Sequence, residues 1–152
     1  GILIVETHHG FVCANAGIDE SNVAEGYATL LPIDSDSSAQ KIRKKIFEQT
    51  NKNVAVIISD TFGRPFRMGQ TNHAIGISGL NPILDYEGTL DSFNRVLRVT
   101  AIAIADELSS ASELVMGKSK KCPFAIIRDY SFKLEDGSID GLIRPEHEDL
   151  FR

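Results

Sequence analysis

Residues 54–59 read Val-Ala-Val-Ile-Ile-Ser, and Asp60-Thr61-Phe62-Gly63-Arg64-Pro65 follows at once. A run that is apolar on both faces and rich in β-branched side chains suits a strand buried between layers, because a half-exposed strand alternates apolar and polar residues. Helices must therefore cover it. Gly63 and Pro65 argue that the strand stops near Ser59, which would leave Asp60 at the rim of a sheet.

The flanking sequence supplies the covering elements. Asp36 or Ser37 is placed to cap a helix with Ala39, Ile42, Ile46 and Phe47 on one stripe, ending near Asn51. Residues 74–78 read as another short strand. Asp91 or Ser92 is placed to cap the longest helix, with Leu97, Ala101, Ile104 and Leu108 on one face and fraying around residues 115–117. Residues 123–127 read as a further strand, and Asp136-Gly137 as a turn. The elements do not alternate as regular βαβ units, so the expected class is α+β: a mixed β-sheet with packed helices. No repeat or linker divides residues 1–152.

Composition excludes several function classes. A net charge of −5 argues against broad electrostatic binding to nucleic acid. No run of about twenty apolar residues occurs, as a membrane-crossing helix requires. The opening GILIVETHHG lacks a basic n-region and a cleavage site, so the cytoplasm is the expected compartment. Cys13 and Cys122 form no CxxC pair and read as buried small hydrophobes. The histidines, including the adjacent His8 and His9, show no metal spacing with them, and neighbours on a strand should point apart.

Asp60 is the most suggestive chemical residue. With Thr61 it offers the oxygen donors that magnesium and manganese prefer, and Arg64 and Arg67 lie close enough in sequence to clamp phosphate or carboxylate oxygens. An Asx-type turn uses the same residues, and spacing alone does not separate the two readings. Small residues at 14, 16 and 17 would let backbone approach a ligand, with Asp19 and Asn22 just beyond, but for this segment alone a helix start, with Asp19 or Ser21 capping a short turn, is the preferred reading. Gly117-Lys118-Ser119 ends like a P-loop but lacks the earlier glycine, since position 112 is Ser, so a helix C-cap followed by a basic loop is the simpler reading.

Taken together, GFVCANAGIDESN, VIISDTFGRPFRMGQTNHAIG, ADELSSASELVMGK and LIRPEHEDLFR resemble the coenzyme F-420:glutamate ligase (CofE) family across nearly the whole chain. The resemblance implies a GTP-dependent ligase that adds L-glutamate to a coenzyme F-420 precursor, works as a homodimer or larger homo-oligomer, and has an α+β fold. It implies a magnesium or manganese ion, with potassium as a further candidate cation. It places the metal on Asp19, Asp60 and Thr61, and nucleotide contacts on Asn22, Met116, Gly117 and Lys118. Phe66 stands where many members carry Trp. The family's amino-terminal region has no counterpart here, so the chain is expected to be the carboxyl-terminal three-fifths or so of such a ligase, with negligible turnover alone.

The implied reaction passes through an acyl phosphate, with Arg64, Arg67 and Lys118 as candidates for the anionic groups. Phosphoryl transfer of this kind is mostly positioning and charge neutralisation. A metal-dependent phosphoester hydrolase could use the same acids, and a dimerisation or ligand-binding module would use them only to cap turns. Metal titration and amine-dependent nucleotide consumption discriminate among the three.

Overall fold

The computed structural model describes residues 1–149. The end of the family-like closing stretch, residues 150–152, lies outside them. The order of elements is β1 (Ile4–Glu6), β2 (Val12–Ala14), α1 (Ser35–Thr50), β3 (Val56–Arg64), β4 (Arg67–Ser78), β5 (Leu84–Asp85), β6 (Ala101–Ile102) and α2 (Ile104–Met116), with short 3-10 turns at Asn15–Gly17, Ile139–Leu142 and Glu146–Glu148. The α+β class is as expected. Strands pair antiparallel as β1–β2, β3–β4 and β5–β6.

The long β3–β4 hairpin is the scaffold. Ala74 and Ile77 of β4 pack with Leu80, Ala105 and Ile139 in the core, and Phe11, Ala55, Ile57, Leu108 and Leu142 lean on them. Both α-helices lie against β4. At Gly76 the first turn of α1 comes so close that a Cβ would run into Ser35, so only glycine fits there.

Helix side chains, rather than a third strand, occupy the outer edge of β4. Asp36 accepts from the Ile77 N–H at 2.7 Å and from the Ile139 N–H at 3.1 Å. Asp106 accepts from the Ala74 N–H at 2.8 Å, and the Ser110 hydroxyl donates to the Asn72 carbonyl at 2.8 Å. These bonds satisfy backbone groups that an open edge would offer to another chain.

Several local expectations are corrected. The cap of α1 is Asp34, which accepts from the Ser37 N–H at 2.7 Å and leaves Asp36 free to reach β4. Strand β3 continues through Asp60 and Gly63 to Arg64, because partners on β4 hold it in register; the rim lies at Pro65-Phe66, and Asp60 is mid-strand opposite His73. The helix expected to be the longest begins only at Ile104 and, at 13 residues, is shorter than α1 with 16. Asp91 instead captures the Phe93 and Arg95 N–H groups, each at 2.8 Å, and Asn94 turns left-handed (φ 59°), which closes a β-hairpin through the Leu90–Val96 bridge. The apolar spacing from Leu97 to Leu108 thus spans two elements. Residues 123–127 form no strand, and Phe124 and Ile126 are exposed. No turn forms at Asp136-Gly137, where the chain lies against Leu80 and Asn81. Cys13 is buried but Cys122 is exposed. The His8 and His9 rings do not point apart: their centroids stand 3.6 Å from each other, and they bond to the Ile33 and Pro32 carbonyls.

Candidate metal and phosphate site

The site forms where the middle of β3 meets the end of α2. Gly117 closes α2 with φ 58° and its N–H bonded to the Glu113 carbonyl at 2.9 Å, a backbone state that glycine adopts without strain. The next residue, Lys118, is thereby turned back over the hairpin. Its ammonium donates to the Thr61 hydroxyl at 2.9 Å. That hydroxyl donates in turn to Asn72 Oδ1 at 2.8 Å, and Asn72 Nδ2 donates to Glu113 Oε2 at 3.3 Å.

Two carboxylates face the same ammonium. Burial pushes the Asp60 carboxyl above its ordinary value, opposed by the Thr61 N–H and the Lys118 charge, while the nearby Asp19 charge adds to the rise. Asp19 is held below its ordinary value by the Ser21 hydroxyl and N–H, at 2.6 and 2.8 Å, with a smaller contribution from Lys118. The segment carrying Asp19 is not a helix start. Its small residues make one 3-10 turn with Asn15 and Ala16 left-handed, and Asp19 bridges to Thr29. Cys13 is buried near enough to Asp60 to feel its charge, and its thiol is pushed up by burial and then by that charge.

The donor set suits a hard divalent cation, being all oxygen and already facing one positive charge. Among the described residues no three His, Cys, Asp or Glu side chains converge as a metal cage. A partial shell is nevertheless what magnesium uses, since it retains waters and takes its remaining oxygens from phosphate.

Asp19, Asp60, Thr61 and Lys118 are thus brought together, with Met116 and Gly117 forming the turn that delivers Lys118. Asn22 is exposed in the left-handed turn after Asp19 (φ 56°). Arg64 and Arg67 are not part of the cluster. They stand at the hairpin tip, where Arg64 donates to the Met68 carbonyl at 3.0 Å, roughly 13 Å along the strand from Asp60 at about 3.3 Å per residue. Sequence reasoning missed Asn72 and Glu113. The available signal was Asp106, Ser110 and Glu113 at i, i+4 and i+7, a polar stripe that α2 turns inward to β4.

Comparison with known proteins decides the family. The family model described as F420-0:Gamma-glutamyl ligase matches residues 1–129. The chain belongs to this ligase family. It is 51% identical over 153 residues to the coenzyme F420:L-glutamate ligase of Methanothermobacter thermautotrophicus, covering 99% of this chain and 61% of the relative. The ligases of the same name from Methanocaldococcus jannaschii and Archaeoglobus fulgidus are 50% and 44% identical over 151 residues, each with 60% of its length covered. The chain therefore spans about three-fifths of the length of these family members.

Proposed function

We propose that this chain supplies the metal- and phosphate-binding part of a ligase that joins L-glutamate to a coenzyme F-420 precursor with GTP and magnesium or manganese. The observation that carries the reading is the hydrogen bond of Lys118 to Thr61, with Asp19 and Asp60 both near enough to feel the Lys118 charge. Two carboxylates and a hydroxyl offer a divalent cation its protein ligands, and a lysine at their edge offers a point charge for phosphate oxygens.

In this reading the terminal phosphoryl group of GTP moves to a carboxylate oxygen of the coenzyme precursor and GDP leaves. The glutamate amine then attacks the acyl carbon, inorganic phosphate departs with the C–O electron pair, and loss of a proton from nitrogen leaves the amide. When bound, the cation offsets charge on the phosphate oxygens. The chain's own residues orient and neutralise: Asp19 and Asp60 hold the cation, Lys118 meets phosphate, and the Thr61 hydroxyl fixes the distance between them. No side-chain nucleophile is needed. Exposed apolar residues on the hairpin between β5 and β6 support a homodimer.

The test is glutamate-dependent GDP release from GTP in the presence of manganese and the coenzyme precursor. It should be run with this chain and with a version extended by the upstream segment of the Methanothermobacter thermautotrophicus relative. Activity in the extended version, lost in Asp60→Asn, supports the reading. GDP release that ignores glutamate points instead to a phosphoester hydrolase.

A further inference from the structure

Among the described residues the Thr61 hydroxyl proton finds its acceptor in Asn72 Oδ1. Asn72 is buried, and its amide orientation is set from behind: the Nδ2 group donates to Glu113 Oε2 at 3.3 Å, which turns Oδ1 toward Thr61. Carboxylate oxygen cannot donate when ionised, so the reversed amide would set two acceptors against each other. The Thr61 O–H therefore donates to Asn72 Oδ1 at 2.8 Å, which leaves the oxygen's lone pairs as acceptors, and one of them accepts from Lys118. A hydroxyl free to rotate would present its proton to the site for part of the time.

We propose that Asn72 and Glu113 are positioning residues that keep the Thr61 oxygen turned, as an acceptor, toward the cation that Asp19 and Asp60 would hold. Neither residue touches the ligands. The inference rests on the functional reading given above, because it presupposes a cation at those carboxylates. Residues behind a ligand commonly matter this way: changing such supports typically weakens metal affinity by about 10–100-fold. Glu113 also sits one turn before Gly117, so the same carboxylate that fixes Asn72 stands on the turn that presents Lys118.

The test is manganese affinity by calorimetry and by electron paramagnetic resonance, on this chain and its variants, with thermal melting alongside. Asn72→Leu, which keeps the branched heavy-atom skeleton but accepts no hydrogen bond, is expected to weaken manganese binding about tenfold. In a Thr61→Val background the same change should have no further effect, because its route of action is gone. Glu113→Gln, which still accepts from the Asn72 amide, should restore most of what Glu113→Ala loses. Wild-type affinity in Asn72→Leu and Glu113→Ala, with Asp60→Asn still losing the metal, overturns the proposal and leaves the metal reading standing. Wild-type affinity in Asp60→Asn instead overturns the metal reading, and the proposal with it. Should Asn72→Leu fail to fold, the Thr61 hydroxyl proton gives a metal-free measurement by nuclear magnetic resonance. A slowly exchanging hydroxyl signal in wild type and Glu113→Gln, absent from Glu113→Ala, is the expected result, and equally fast exchange in all three overturns the idea.

Discussion

The Lys118 ammonium stands 2.9 Å from the hydroxyl of Thr61, a residue 57 positions earlier in the chain. This contact joins the end of α2 to the middle of β3 and puts a positive charge beside two carboxylates. A lysine there competes with a cation but attracts phosphate, so Lys118→Met should push two affinities in opposite directions. Manganese should bind about tenfold more tightly and GTP about tenfold more weakly, since a charge-assisted hydrogen bond is worth about 1.5–3 kcal/mol and tenfold is about 1.4. Titration calorimetry of each ligand alone decides. A parallel loss of both affinities would show that Lys118 only holds the loop in shape.

Asp60 should cost the fold stability at neutral pH. Its carboxyl is raised chiefly by burial, so the native state holds this proton more tightly than the unfolded chain does. The contribution is complete below the ordinary carboxylate value of 3.8 and is lost as pH rises through the raised folded value. Asp60→Asn, which imitates the protonated form, is expected to raise Tm at pH 7 and leave it nearly unchanged at pH 3. Calorimetric melting at both pH values checks the sign, and a lower Tm at pH 7 contradicts it.

The same shift sets the acid limit of metal binding. A cation must displace the proton from Asp60, whereas Asp19, held below its ordinary value, is ionised already. Manganese affinity is expected to fall about tenfold per pH unit once pH drops below the raised Asp60 value, the slope of one displaced proton. An affinity unchanged until pH falls below the ordinary range of an aspartate would remove Asp60 from the ligand set.

The sequence made the chemical interest of Asp60 legible, because residue type is a local property, but it misplaced the burial. Residues 54–59 are only half-buried and the strand starts at Val56, whereas the buried stretch is residues 74–78 of β4, against which both helices lie. The extension of β3 through Gly63 was hidden, since only its partners on β4 keep that stretch extended. The false helix from Asp91 arose for a similar reason. Leu97, Ala101, Ile104 and Leu108 have helical spacing, but the Asp91 carboxylate binds two backbone N–H groups locally and diverts the chain into a hairpin. Asn72 and Glu113 were out of reach because their roles depend on a pairing across 41 residues. The resemblance gave Asp19, Asp60, Thr61 and Lys118 together, and the fold explains how three distant stretches of the chain come near one another.

Asp36 is expected to be worth more to stability than the true cap of its helix. Its two oxygens satisfy the Ile77 and Ile139 N–H groups, 41 and 103 residues away, so Asp36→Ala strands both. At about 1–3 kcal/mol for each buried group left unsatisfied, a loss of about 2–6 kcal/mol is expected. Asp34→Ala removes one cap bond and should cost about 1 kcal/mol. Urea unfolding of the two variants gives the comparison, and equal losses would mean that water replaces Asp36 at β4.

Self-association should run through the hairpin between β5 and β6. Phe93 is 81% exposed and Val99 92%, with Leu90 and Val96 more than half exposed beside them, and none of the four belongs to the core. The hairpin keeps its shape without them: the β5–β6 pair, the Leu90–Val96 backbone bridge and the Asp91 carboxylate hold it. Apolar side chains displayed on a braced element lose little freedom on docking and gain burial, the combination that favours a stable interface. Phe93→Ser with Val99→Thr should therefore weaken self-association by at least tenfold while leaving the melting of the monomer unchanged. Ile2 and Leu3, 77% and 64% exposed at the start of the chain, form the competing patch, and Ile2→Ser with Leu3→Ser is the parallel variant. Sedimentation equilibrium on both pairs separates the two surfaces. A dimer that survives the hairpin substitutions but dissociates with the amino-terminal ones would move the interface to β1 and its neighbours.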